Sequence, residues 1–484
     1  MTSRLTQYLD KKFGLTAGNT SVKTEVLAGT STFFTMCYIV ALNPNILTGF
    51  QTGTELWNAI FLATCLSAVT GTLFMAFLAN KPLVVASGMG MNTFFASIVA
   101  NIAIITGLNY DQSYRIALCF ILFEGLFFLI TSLAGIRHKI ANDIPPCIKL
   151  AIGPAIGLML INIGFGSNVS IYAEGNQYTT PFYVMRDFFG AMTASYLKYS
   201  MGHEYTKMVI SVLTIFTGLF TIVHYHRKNN RACVIIGLLL SSVMYWTMDY
   251  FILNENPFAA TRGTSFLPSF SNLYRQTLLS FDFQGFINLG AYTAVVVLVT
   301  FCIIDMFGTI GSIIGTASKT GLVNERGDIP GIKEALTSDA VATITAACTG
   351  TSTNVTFAES ASGIQAGGRT GLTAFTCAVL LFLCIFLSPV ISVIPAPATS
   401  AALIYIGIVM MQELNKIDFR DIEQITPAFV MLVAIFSSGS VGNGIGVALI
   451  CYTVIKMINF KFRDVSTLTY CVSALFAVKF FLVF

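Results

Sequence analysis

The chain has 484 residues, of which 55% are hydrophobic, 13% aromatic and only 10% charged, with a formal net charge of +4. A soluble domain carries about a quarter charged residues. The deficit excludes a disordered chain, a nucleic-acid binder and an ordinary soluble enzyme. Because the apolar runs recur along the whole length, the chain reads as an all-α polytopic membrane protein.

The N-terminal Met1–Lys23 is polar and the first apolar run is long, so no cleavable signal peptide is read there. Seven spans are predicted near 26–48, 56–79, 83–104, 114–134, 145–164, 205–223 and 232–252. Seven more follow near 288–317, 336–352, 355–368, 371–393, 396–413, 424–438 and 441–458. A last apolar stretch at 467–484 is assigned to packing or to the membrane surface. With this count the basic residues named below gather on one side, and the opposite loops 164–204 and 253–287 carry mixed or slightly acidic charge. Arg4, Lys11, Lys12 and Lys23 precede span one. Lys81, then Arg137, His138 and Lys139, then Arg227, Lys228 and Arg231 follow spans two, four and six. Lys319, Arg326 and Lys333, then Lys416 and Arg420, then Lys456, Lys461 and Arg463 follow spans eight, twelve and fourteen. Both termini are therefore expected in the cytoplasm. The 164–204 loop, with Tyr172, Tyr178, Phe182 and Tyr183, suggests no task.

The eleven cysteines sit mostly in apolar runs and form no CxxC pair, and the four histidines lie in connecting segments. No metal, cofactor or disulfide framework is expected. In span one, Thr32, Thr35, Asn43 and Asn45 are candidates to line a site. The alternative for the two threonines is back-bonding to their own helix. Pro44 is expected to end that helix. Lys149 is expected to snorkel.

The chain repeats itself. Ile144-Pro145 is followed by Ala151 and Ile156-Gly157; Ile394-Pro395 is followed at the same offsets by Ala401 and Ile406-Gly407. These are spans five and twelve. An odd number of spans separates them, so the halves are inserted in opposite senses, an architecture of many secondary transporters.

Spans three and ten are poor continuous helices. Lys81–Asn92 begins with the β-branched Val84-Val85 and turns at Gly88 and Gly90. Thr351–Gly363 begins β-branched and becomes small and polar. Each reads as a short extended piece leading into a half-helix, which survives at that depth only when buried in protein or lining a cavity. Few acids fall inside spans, and Asp305, Glu359 and Glu124 are singled out among them. An ionised acid at the bilayer centre costs about 2.5–3.5 kcal/mol. Asp305 and Glu359 are therefore read as substrate- or proton-binding groups. For Glu124 a structural and a functional role stay equally open.

Several of these segments together resemble the AzgA-like branch of the nucleobase–cation symporters. They are Thr24-Glu25-Val26-Leu27-Ala28-Gly29, Tyr38-Ile39-Val40, Asn43-Pro44, Gly88-Met89-Gly90-Met91-Asn92, Glu359–Gly363, Gly367–Thr373 and Asn443-Gly444-Ile445. The resemblance covers nearly the whole chain. It implies fourteen spans in a seven-plus-seven inverted repeat, with short β-segments before half-helices in spans three and ten. It also implies a core domain (1–140 and 287–394) and a gate domain (141–286 and 395–484). It implies proton-coupled import of a purine base through the cell membrane, guanine or hypoxanthine before adenine. Gly90, Asn92, Asp305 and Glu359 match the family's site positions, with Ser360, Thr35 and Phe307 as further substrate-contact candidates. Asp305 and Glu359 are the candidates for proton coupling. There is one departure. The family's span eight usually reads Asp-x-Phe-Asp-Thr, whereas this chain reads Asp305-Met306-Phe307-Gly308-Thr309. Gly308 removes a carboxylate and leaves room for a bulkier ring substituent or a water.

The alternatives are a transporter of the same fold with another cargo (xanthine, uracil or an inorganic anion) and a non-transporting nucleobase sensor. The sensor would need a soluble output domain, which is not apparent. An enzyme would need a nucleophile–base pair or metal cluster in the spans, and none is visible. The oligomeric state is open, a homodimer among the options.

Overall fold

The computed structural model describes residues 4–49, 51, 53–135, 145–165, 203–230, 232–254, 256, 270–320, 331–438 and 441–482. The four aromatic residues noted in the 164–204 loop, with Arg137, His138, Lys139, Arg231 and Arg326, lie outside them, as does the side chain of Phe307. The first half runs α1 (Arg4–Phe13), α2 (Val22–Met36), α3 (Ile39–Leu47), α4 (Glu55–Phe74), β1 (Val85–Ser87), α5 (Met89–Thr106), α6 (Tyr110–Leu133), α7 (Pro146–Phe165), α8 (His203–Arg227) and α9 (Cys233–Met248). The second runs α10 (Phe270–Gln276), α11 (Phe283–Asn288), α12 (Ala291–Thr320), α13 (Ile332–Thr349), β2 (Asn354–Thr356), α14 (Ser360–Gln365), α15 (Gly371–Cys384), α16 (Ser388–Ile391), α17 (Ala396–Met411), α18 (Ile422–Ser438), α19 (Val441–Ile458) and α20 (Thr467–Leu482). Among the described residues seven helical segments are long and apolar enough to cross a membrane, and shorter apolar helices accompany them. Large apolar side chains such as Ile104, Ile130, Phe220 and Phe251 stand exposed, as a lipid-facing surface requires.

Two compact units form. One is Met1–Lys139 with Thr264–Ser392; the other is Ile140–Gly263 with Val393–Phe484. Each draws on both halves of the chain.

At the centre of the first unit, β1 and β2 pair antiparallel, with Val85 opposite Thr356, Ala86 opposite Val355 and Ser87 opposite Asn354. Both strands are buried throughout. A backbone at this depth must find every partner inside the protein. The flanking groups do so. Phe357 N–H donates to the Val84 carbonyl (2.9 Å) and Gly88 N–H to the Thr353 carbonyl (3.1 Å). The Thr72 hydroxyl accepts from Val85 N–H and donates to its carbonyl. Gly88 is needed there because a Cβ would lie 2.7 Å from a Val355 methyl.

Pro44 does not end its helix. It lies inside α3, which continues to Leu47, and the irregular stretch falls earlier, at Cys37–Tyr38. A proline removes its own donor and crowds the carbonyl four residues back, so the disturbance appears upstream. The polar residues of this span tie elements together. Asn43 Nδ2 donates to the Thr64 and Thr351 hydroxyls, and Trp57 Nε1–H donates to Asn45 Oδ1 at 2.7 Å. The Thr32 hydroxyl bonds back to the Ala28 carbonyl.

In the second unit α7 packs along α17, and the two repeat glycines meet. A Cβ on Gly157 would lie 2.6 Å from the Gly407 carbonyl oxygen, and one on Gly407 would strike the Gly157 carbonyl oxygen. This reciprocal contact is what a local two-fold relation between spans five and twelve produces. The C-terminal α20 packs on α19. The Phe476 ring fills the notch left by Gly446, and the Thr453 and Ser473 hydroxyls lie 2.8 Å apart.

Candidate functional site

The residues singled out in spans one, three, eight and ten all belong to the first unit. Glu359 precedes the first turn of α14 and is half-buried. Its Oε1 accepts a hydrogen bond of 2.5 Å from the Tyr38 hydroxyl. One turn before Tyr38, the Thr35 hydroxyl bonds to the Thr32 carbonyl (2.8 Å) and lies 2.9 Å from the Ser362 hydroxyl. Thr35 and Tyr38, three residues apart, share a helix face, and that face holds the start of α14. A glycine lets them close. A Cβ on Gly363 would sit 2.7 Å from the Ala28 carbonyl oxygen and strike the Thr32 hydroxyl.

Ser360 is fully buried, and its hydroxyl accepts from Val84 N–H at 3.0 Å. That bond fixes the entry to β1. Asn92, in the first turn of α5, is also fully buried. Its Oδ1 accepts from the Ser352 hydroxyl, and its Nδ2 has no hydrogen-bond partner among the described residues. Gly90 is half-buried, and its carbonyl accepts from the Thr93 hydroxyl at 3.0 Å. Glu124 accepts from the Thr353 hydroxyl at 2.5 Å, tying α6 to the chain just before β2.

Asp305 in α12 is fully buried and receives the Thr309 hydroxyl at 3.2 Å. The same hydroxyl lies 3.0 and 3.1 Å from the two carboxyl oxygens of Asp339 in α13, which also accepts from Thr356 at 3.3 Å. Two buried carboxyls thus meet around one threonine. Asp339 was not anticipated from sequence. The available signal was an acid between Ser338 and Ala340 near the start of an Ala-rich span, easily read as a membrane-surface residue. Gly308 behaves differently from its neighbours. It is exposed, and a Cβ there would meet nothing within 4 Å among the described residues.

A further acid holds the unit together. Glu25 of α2 is fully buried. Its carboxylate accepts from the backbone N–H groups of Arg369 (2.8 Å), Thr370 (3.3 Å) and Thr373 (3.2 Å), and from the Thr373 hydroxyl (2.6 Å). The carboxylate thus gathers the donors of the turn that leads into α15, at the positive end of that helix.

Residues 23–445 match the family model described as a permease family. The chain belongs to that family. The permease is therefore a transporter rather than an enzyme. It is 30% identical to the adenine permease AdeP of Escherichia coli, over 97% of this chain and 95% of that one. It is also 30% identical to the guanine/hypoxanthine permease PbuO of Bacillus subtilis, over 97% of this chain and 100% of that one. The transmembrane domain of a cyanobacterium bicarbonate transporter, BicA, superposes with a TM-score of 0.61 at 13% identity, over 88% of this chain and 97% of that one. At that identity the likeness speaks to fold alone. The permease is a multi-pass membrane protein with the seven-plus-seven inverted-repeat fold.

Proposed function

We propose that the permease imports a purine base together with a proton across the cell membrane, with both termini cytoplasmic and with guanine or hypoxanthine preferred over adenine. The observation that carries the reading is Glu359, a half-buried carboxylate at the break of span ten, gripped at one oxygen by Tyr38. A purine presents ring and exocyclic N–H groups, and an oriented carboxylate accepts from them. A site built on matched hydrogen bonds rejects analogues that lack the group by a factor of about 10⁴ or more. The names borne by the relatives from Escherichia coli and Bacillus subtilis support a purine cargo. Asn92 with its remaining Nδ2 donor, and the open space at Gly308, are assigned to the same base.

The proton is assigned to Asp305. Its carboxyl and that of Asp339 are both buried and both contact the Thr309 hydroxyl, and two carboxyls sharing a site repel when both are ionised, which one bound proton relieves. The unit that holds these residues takes the carrying role, and the other unit that of gate.

The test is uptake of radiolabelled hypoxanthine, guanine, adenine and uracil into cells lacking their own carriers, with and without a proton uncoupler. Saturable uptake of a purine, abolished by the uncoupler, is expected. Uptake that survives the uncoupler removes the proton from the scheme. Uptake of none of the purines removes the cargo.

A further inference from the structure

We infer that Tyr38 is a positioning residue for Glu359, holding one carboxyl oxygen so that the other alone is presented to the transported base. The inference rests on the assignment of Glu359 to the substrate.

A glutamate side chain has three rotatable bonds, and a half-buried one is free to swing unless something fixes it. Among the described residues the Tyr38 hydroxyl is the side-chain donor to Glu359, at 2.5 Å from Oε1. The other group recorded on this carboxyl is the backbone N–H of Glu359 itself, which leaves Tyr38 as the side chain that sets its direction. The tyrosine is itself well anchored. It is 5% exposed and sits at the irregular turn between α2 and α3. Its carbonyl accepts from Ala41 N–H at 3.1 Å and from Leu42 N–H at 3.0 Å, which starts α3. The phenol oxygen therefore stands at a fixed point relative to α14, whose start is held independently by the Thr35–Ser362 contact at 2.9 Å. A hydrogen bond to a charged acceptor is directional and stronger than a neutral one. With Oε1 occupied, the direction in which Oε2 faces is set by the protein, not by the ligand. A base binding there meets an acceptor already oriented, and the ordering cost is removed from binding.

This separates Tyr38 from the structural ties around it. Asn43, Thr72 and Ser360 join backbone or hydroxyl groups of one element to another, and their loss should weaken folding. Loss of the Tyr38 hydroxyl, with the ring retained, leaves the packing and frees one carboxylate. Its effect belongs in ligand affinity and in discrimination between bases.

The experiment is Tyr38→Phe, read in three ways on the full chain. Uptake kinetics should show KM for the preferred purine raised several-fold, up to about tenfold, because binding must then order a side chain that Tyr38 had fixed beforehand. Vmax per molecule at the membrane should change less than about twofold, and preference among guanine, hypoxanthine and adenine should narrow. The melting temperature of the purified protein should stay near that of the parent. The third readout needs no substrate. Purified protein is treated with dicyclohexylcarbodiimide, and labelling of Glu359 and of Glu124 is followed by mass spectrometry. Freed from Tyr38, Glu359 should label several-fold faster in Tyr38→Phe, while Glu124, held by Thr353, should not change.

Unchanged KM with unchanged Glu359 labelling overturns the inference. So does a loss of melting temperature with both glutamates labelling faster, which would make Tyr38 a packing residue. If the parent protein takes up no purine, the cargo assignment fails. The Glu359-to-Glu124 labelling ratio then still decides whether Tyr38 fixes the carboxyl.

Discussion

Gly308 gives the sharpest test, because steric cost and helix propensity point the same way there. It lies inside α12, a 30-residue helix. Glycine in a helix interior costs about 0.5–1 kcal/mol relative to alanine. At Gly363 and Gly157 that gain is out of reach, because a Cβ would collide. At Gly308 nothing among the described residues lies within 4 Å of the added atom. Gly308→Ala should therefore stabilise the fold by about 0.5–1 kcal/mol, read as a raised thermal midpoint in detergent. Gly308→Leu keeps the propensity gain and fills the space. If the base uses that space, Gly308→Leu should fold as well as the parent and lose at least about tenfold in KM, equivalent to about 1.4 kcal/mol. Gly308→Asp restores the carboxylate of the resembling family without a clash, and should fold normally while changing which purine is preferred. Uptake of hypoxanthine, guanine and adenine, normalised to protein at the membrane, reads all three. Normal kinetics in Gly308→Leu would refute the placement of the base at Gly308. A destabilised Gly308→Ala would refute the open environment itself.

Three other outcomes are expected. Glu25→Ala should strip a carboxylate from three backbone donors and one hydroxyl, costing about 3 kcal/mol or more, visible as lost abundance and a lower melting temperature. Thr309→Val keeps the shape of the side chain but removes the hydroxyl shared by Asp305 and Asp339; uptake should fall while abundance at the membrane is largely kept. Gly157→Val and Gly407→Val should destabilise by similar amounts, about 1–3 kcal/mol each, because each Cβ enters the backbone of the other helix; markedly unequal losses in melting temperature would count against the local two-fold relation.

The broken spans were legible because their chemistry is local. Val84-Val85 and Val355-Thr356 favour extended backbone, and glycines or small polar residues follow each. The repeat was legible in a few letters, and two of them, Gly157 and Gly407, proved to be a contact. What stayed hidden depended on partners far away in the chain. Glu25 read as one letter of a motif, yet its partners lie at Arg369–Thr373. Asp339 drew no reading from the sequence, because only the fold brings Thr309 of α12, and with it Asp305, to its carboxyl. Tyr38 sits in an apolar run and reads as core, because a sequence does not tell which way a phenol points. Pro44 misled for a related reason: the rule that proline stops a helix assumes water is there to take the freed carbonyl, and inside a membrane protein neighbouring groups take that role.

The pairing of β1 with β2 also sets an order of assembly. The backbone groups of 84–88 find their partners largely at residues 353–360. At synthesis rates of about 5–20 residues per second, roughly 270 residues between them take some 15–50 seconds to appear. Until then the extended segment of span three has no strand to lie against, and lipid offers its amides nothing. Span three must wait at the edge of the bilayer or in the insertion machinery and settle only after span ten arrives. The first half of the chain, made alone, should not reach its final depth. Adding the second half as a separate polypeptide should allow it to.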